Sequence, residues 1–502
     1  MKRNLLFAAL FGLVLAIPPA AQAADAPAKN EPPKKPDAAK PAGDVISVVI
    51  HPAAEPKPAL KYHLLPTFLE STPGDAVPLY AKALVMHMER WKGMQYDALY
   101  DKKKPSDFPD FEKWFETPLD TLPRDRARKI ADAFGGSVKT QLDMAVRREH
   151  CYWDTPLRQG HVFETLLPET QEFRNMARIL ALRARLQIAE GKYEEAVATL
   201  KTGYGMARHI AEQPFLVSNL VGLAIANMMN DQLLTLCQQP GAPNLYWSIA
   251  ELPSPWIDKR QSIGAEYDGL YLQWPELQAV RHAQYAPEQW NRLLRKIASE
   301  LIYFDYETAT AKLSDKERAT KIEKMIAAAL AGVPKAKAEL LAAGYTQKEV
   351  DAMCPAQIVM LYSLDTYDRI RDDVFKWWNL SYAQASDGLE RAHRDVSAST
   401  KREILPLAYS LLPGGSAAKL AFARTDRQFA AIRCIEALRL YAATHNGELP
   451  ATLDEIKEVP IPLNPMPGKP FPYHLEGKKA VLDADGGLTN TPRPQYRVVV
   501  AQ

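Results

Sequence analysis

The stretch RREHCYWD, Arg147–Asp154, gathers Glu149, His150, Cys151 and Asp154, and His161 follows in RQGHVFE. These residue types could run nucleophilic and acid–base chemistry: a thiolate to attack, an imidazole to take its proton, a carboxylate to orient the imidazole. Their spacing works against it, because cysteine–histidine pairs are usually assembled from residues distant in sequence. Metal binding would need ligands sharing one face, and neither HExxH nor a paired CxxC occurs. What survives is a cleft lined by His150, Trp153 and His161, with Trp256 from a later loop. An exported hydrolase or carbohydrate-active enzyme would use such a cleft. Set against it is a partly buried, aromatic-rich helix end whose polar groups are satisfied locally.

Other chemical fragments are weaker. Ser416-Ala417-Ala418-Lys419 has the S-x-x-K spacing in which a lysine serves an acylating serine, and in this it resembles penicillin-recognising serine enzymes. That family carries its KTG later, on a strand. Here Lys201-Thr202-Gly203 comes earlier, inside a helical pattern, and no S-D-N occurs. Trp377-Trp378 could stack on a sugar ring, but consecutive helix residues diverge, so one is expected in the core and one at an interface. Asp483–Gly487, DADGG, lacks the downstream glutamate of a calcium loop and reads as an acidic turn. There is no Walker A, strand-linked G-x-G-x-x-G or G-x-S-x-G motif. No cofactor and no metal are expected.

The elements that would position these groups can be read along the chain. Residues 1–23 have Lys2 and Arg3, an apolar run from Leu5 to Ile17 and an Ala21-Gln22-Ala23 cleavage pattern, as in a secretory signal peptide. The protein is therefore expected to be exported, periplasmic or extracellular. The formal charge of +2 is matched by Lys2 and Arg3 alone, so the mature chain is neutral. Nucleic acid is not an expected partner. Residues 24–60, rich in Pro, Ala and Lys, are expected to be a flexible linker. Within it VISVVI, Val45–Ile50, is a lone strand-like run that could add to a sheet edge elsewhere. Cys151, Cys237, Cys354 and Cys434 are widely spaced. Export would permit disulfides, but TLCQQ and IRCIEAL read as helix, which favours buried free thiols.

Residues 61–415 read as a large helical body. Leu216–Met229 is strongly apolar but short, with Asn219 and Asn227 in it, so it is expected to be a core helix and the mature chain to have no membrane span. Gly222, Ala224 and Ala226 would admit a neighbouring helix. Gln238–Arg260 is a long Pro-punctuated loop expected to be pinned by its aromatics. In residues 180–210, apolar positions at helical spacing on either side of Gly191 predict a helical hairpin. Gly191, Tyr193 and Ala196 resemble one tetratricopeptide repeat, which implies a binding surface.

Residues 416–502 read as a small α+β module. Phe429, Ile432, Ile435, Leu438 and Tyr441 mark one face of a helix, with Arg424, Arg427, Arg433 and Arg439 among its other positions. Asn446-Gly447 suits a left-handed helix end, Pro450 bars continuation, and a strand, a Gly477-Lys478 turn and two further strands follow. This order, with Ala437, Leu440, Tyr441, Asn446, Gly447, Leu449, Pro450, Leu453, Asn464, Pro465, Gly468, Pro470, Phe471 and Tyr473, resembles the globular part of type II secretion pseudopilins. The resemblance implies a short antiparallel sheet and docking to envelope components. The upstream ILPLAYSLLPGG is broken by prolines and lacks the family's apolar stalk.

The fold expected is thus mainly α: a helical-hairpin body, tetratricopeptide-like in part, then a small pseudopilin-like α+β domain. The leading expectation for function is an exported, non-enzymatic binding or scaffold protein of the bacterial envelope with a protein partner. The hydrolase cleft and a pilus or secretion subunit are the alternatives.

Overall fold

Gly191 turns the chain between the two helices that organise the body. Its φ is +73°, its amide donates to Ile188 O at 3.0 Å, and the Lys192 amide donates to Gln187 O at 2.8 Å. This closes the carbonyls at the helix end, and a Cβ would strain the left-handed position. The computed structural model describes residues 45–100, 108–155, 157, 162–164, 167–304, 313–399, 403–412, 415–484 and 494–501. The leader 1–23, residues 24–44, His161 and most of the acidic turn after Ala484 lie outside the described residues.

The chain is mainly helical, with a four-stranded sheet. The longer helices are α1 (Val77–Tyr100), α2 (Arg124–Ala133), α3 (Pro168–Ala189), α4 (Tyr193–Ala211), α5 (Leu216–Cys237), α6 (Pro287–Phe304), α7 (Asp315–Ala331), α8 (Val333–Ala342), α9 (Pro355–Phe375), α10 (Tyr382–Ser397) and α11 (Gly415–Thr444). The strands are β1 (Val45–Ile50), β2 (Thr72–Asp75), β3 (Arg148–His150), β4 (Tyr473–Glu476), β5 (Lys479–Asp483) and β6 (Gln495–Val500).

Helices α3, α4 and α5 pack on one another as the centre of the body. A close backbone approach uses Gly222, where an added Cβ would lie 2.6 Å from Ala207 O on α4. Among the described residues α5 is the one helix long and apolar enough to cross a membrane, and 78% of its apolar window is buried in the protein. The loop after it is pinned as expected. Trp256 is buried against Tyr204 and Phe429, and Tyr246 is buried beside Arg433.

Helix α11 departs from the one-sided face read in the sequence. It packs on α5 and α10, so Arg427 and Arg439 are buried with the apolar residues. It ends as expected, with Asn446 at φ +51° and Gly447 at φ +81°, the Gly447 amide donating to Ala442 O at 2.8 Å.

The sheet order is β1-β6-β5-β4. Strands β4, β5 and β6 are antiparallel, and Gly477 at φ +63° begins the two-residue turn between β4 and β5. The sheet is mixed rather than purely antiparallel, because β1 pairs parallel with β6, Val48 opposite Val498. Val48 and Ile50 are buried and Val49 is half exposed, the alternation of a strand with one face on a core. Residues 45–60 of the Pro-rich segment therefore lie on the body: after β1, the Ala53 amide donates to Arg439 O and Glu55 accepts from Trp247 Nε1. One apolar core runs from the sheet through α11 into the body.

Candidate functional site

His150 lies exposed at the end of β3, its ring 5.3 Å from that of Tyr152. Trp153 turns the other way and is half-buried. Its ring stacks on Tyr80 at 6.0 Å and meets Phe173 edge-on, and its indole N–H donates to His209 O at 2.8 Å. Asp75 holds this corner together, accepting from the Val77 amide at the start of α1 and from the Tyr152 amide. Tyr80 Oη and His209 Nδ1 are 3.0 Å apart. Burial pushes His209 down to about 4 and the Cys151 thiol well above its usual range. A neutral imidazole and a protonated thiol are packing groups here, without the thiolate that nucleophilic catalysis needs. The four cysteines are free thiols, three of them buried.

His87 of α1 is more deeply placed. It is fully buried against Trp91 and Phe134, and neither ring nitrogen has a hydrogen-bond partner. Glu172 Oε2 stands 3.6 Å from Nε2, and burial lowers the imidazole to about 4.

Lys419 of the S-x-x-K fragment is committed elsewhere. It is buried, and its ammonium donates to Trp377 O at 2.8 Å, Trp378 O at 3.1 Å and Leu380 O. These carbonyls terminate the turn after α9, so the lysine caps a chain reversal. Burial lowers it to about 8. Trp378 is core, and Trp377 covers Gly388 of α10.

The most buried ionic group is Glu436–Arg439 on α11, with both side chains fully enclosed. Arg439 Nη1 contacts both Glu436 oxygens at 2.9 Å. Nη1 also donates to Pro243 O, while Nε donates to His51 O and Nη2 to Ala242 O. Cys237 Sγ donates to Glu436 Oε1 at 2.8 Å. Each charge is thus both paired and hydrogen-bonded, as burial demands. A second polar network is half-buried: Arg281 bridges Asp365 and Asp368, and Asp368 also takes Tyr271 Oη. Among the described residues no group of three or more His, Cys, Asp or Glu side chains is placed to hold a metal ion.

Comparison with known protein families, characterised proteins and solved structures finds no match to this chain.

Two of the concavities formed by the described residues stand out. One, about 540 Å³, lies between residues 52–62, the Gly191 turn and the loop at Gly241–Asn244, directly over the Arg439 carbonyl cluster. The other, about 250 Å³, lies between α8, α9 and α10. Neither is lined by His150, Trp153 or Trp256.

The most unusual surface is convex. Phe68 and Leu69 are 91% and 94% exposed at the tip of a short 3₁₀ turn. The turn is held tightly beneath them. The Thr67 amide donates to Glu70 Oε2 at 2.8 Å, and Lys201 Nζ meets both Glu70 oxygens at 2.9 Å. Residue type alone places a Phe-Leu pair in the core. The sequence cue to the contrary is the flanking Pro66-Thr67 and Glu70, a capping pattern around a segment too short to bury anything.

Proposed function

We propose that this protein is an exported, non-enzymatic binding or scaffold protein of the envelope that docks a protein partner through Phe68 and Leu69. The observation that carries the reading is that two large apolar side chains stand in water on a braced tip. Leaving them exposed forgoes roughly 1.5–3 kcal/mol of burial each, which a partner's apolar pocket would recover. A protein pocket suits this pair better than a bilayer. Its nearest ionic groups, Glu70 and Lys201, neutralise each other, and the mature chain has no net charge to draw it to anionic lipid.

The Gly191 hairpin supports a tetratricopeptide-like element in the body. The helix ending at Asn446-Gly447 and the β4–β5 hairpin support a pseudopilin-like module. Packing of α11 against α5 and α10 of its own chain counts against its use as a filament stalk.

The test is capture from envelope extract with residues 24–502, wild type beside Phe68→Ala/Leu69→Ala. A protein retained by the wild type and lost from the variant, with unfolding unchanged, supports the reading. Identical retention by both, or a difference only in binding to phosphatidylglycerol vesicles, sinks it.

A further inference from the structure

The smaller concavity has the attributes of a ligand site. Its floor is a stripe of α9 at helical spacing, Tyr362, Thr366 and Arg369, and its walls carry Lys335 and Glu339 from α8 and Asp395 from α10. At about 250 Å³ it lies below the size of drug-like pockets and suits a small metabolite.

Three of its groups are uncommitted. Thr366 is only 2% exposed, and its hydroxyl has no hydrogen-bond partner. A helical threonine usually bonds back to the carbonyl one turn earlier, and a buried hydroxyl left alone costs about 1–3 kcal/mol. Arg369 and Glu339 line the same space without an ion pair or side-chain hydrogen bond among the described residues. Lys335 Nζ stands 6.0 Å from the centroid of the Tyr362 ring. A cavity for a simple anion or cation would carry one sign. This one offers a guanidinium fork suited to a carboxylate and, lining the same space, the Glu339 and Asp395 carboxylates suited to an ammonium.

We propose that this cavity binds a small zwitterion, a free amino acid. Its carboxylate lies on Arg369 and the Thr366 hydroxyl, and its ammonium faces Glu339 and Asp395. This is independent of the docking tip at Phe68 and Leu69.

Titration calorimetry of residues 24–502 at neutral pH with the common free amino acids tests it, followed by the amide and the N-acetyl derivative of the tightest binder. Saturable binding is expected, weakened about tenfold or more by each derivatisation and by Arg369→Gln. Thr366→Val weakens binding several-fold without lowering the unfolding midpoint, because the hydroxyl it removes is unpaired. Absence of saturable binding up to about 10 mM, indifference to Arg369→Gln, or sensitivity to only one of the two derivatisations overturns the proposal.

Discussion

Arg439 holds Glu436 through a single nitrogen, Nη1, at 2.9 Å from both carboxylate oxygens, and its guanidinium also donates to three backbone carbonyls, one of them from that same nitrogen. Those carbonyls belong to His51 and to Ala242 and Pro243, so one side chain joins the N-terminal segment, the loop after α5 and α11. Arg439→Met should cost about 3–5 kcal/mol, because a buried carboxylate and three carbonyls lose their donor. Glu436→Gln should cost less, since the guanidinium keeps its carbonyls. In a double-mutant cycle by urea unfolding the pair should couple by about 1.5–3 kcal/mol. Additivity within about 0.5 kcal/mol would show that the pair is not a unit.

Two glycine-to-alanine changes should have opposite signs. Gly264, in the short helix Arg260–Tyr267, has nothing within 4 Å of an added Cβ, so Gly264→Ala should stabilise that helix by about 0.5–1 kcal/mol. At Gly222 the same methyl meets Ala207 O, a backbone atom that cannot rotate away. Gly222→Ala should destabilise by about 1–3 kcal/mol. Denaturant midpoints for the two variants decide it, and a stabilised Gly222→Ala would mean that α4 and α5 are not in contact there.

Acid should weaken the fold through His87. An unfolded imidazole takes a proton below about 6.5, while the buried one resists until about 4. The folded state binds fewer protons across that window, so this group's contribution is present above the unfolded value and lost as pH falls toward 4, by about 3 kcal/mol in all. Half-buried Glu266, raised to about 7 by desolvation, and half-buried Asp426, raised to about 6, act in the opposite direction. The measurement is therefore a difference: His87→Phe should lose less stability than wild type between pH 7 and pH 4. Parallel stability–pH curves would refute it.

Lys419→Met should destabilise by about 2–4 kcal/mol by orphaning three carbonyls, while Ser416→Ala should change stability by less than about 0.5 kcal/mol. A Ser–Lys acylating pair makes a different demand, covalent labelling of Ser416 by a β-lactam. Mass spectrometry showing such an adduct would overturn the capping role.

Within the sheet, Val48→Lys should cost several kcal/mol by burying an unpaired charge, and Val49→Lys, half exposed, should be nearly neutral. Equal effects would place β1 off the sheet.

The features legible in the sequence were those written locally. Gly191, Asn446-Gly447 and Gly477 each impose a backbone conformation within four or five residues, and each sits at the turn its type suggested. The α5 segment was legible because its apolar content exceeds what one face can use. The addition of β1 to β6 depends on a partner at the other end of the chain, and VISVVI by itself fits any sheet edge. Arg439 looked like a surface residue because the carbonyls that satisfy it come from distant segments. Of the cleft residues, Trp153 turns into the body just past the end of β3, while His150 points out of it. Thr366 carried no signal at all, since an unpartnered hydroxyl is visible only once its surroundings are assembled.

The β1–β6 pairing also dictates an order of events. Synthesis delivers Gln495–Val500 long after Val45–Ile50, so the sheet cannot close until the helical body between them is made. Until then β1 is an open edge rich in valine and isoleucine. Contacts of such long sequence separation form slowly, and the nascent protein spends that interval exposed to strand-capturing neighbours.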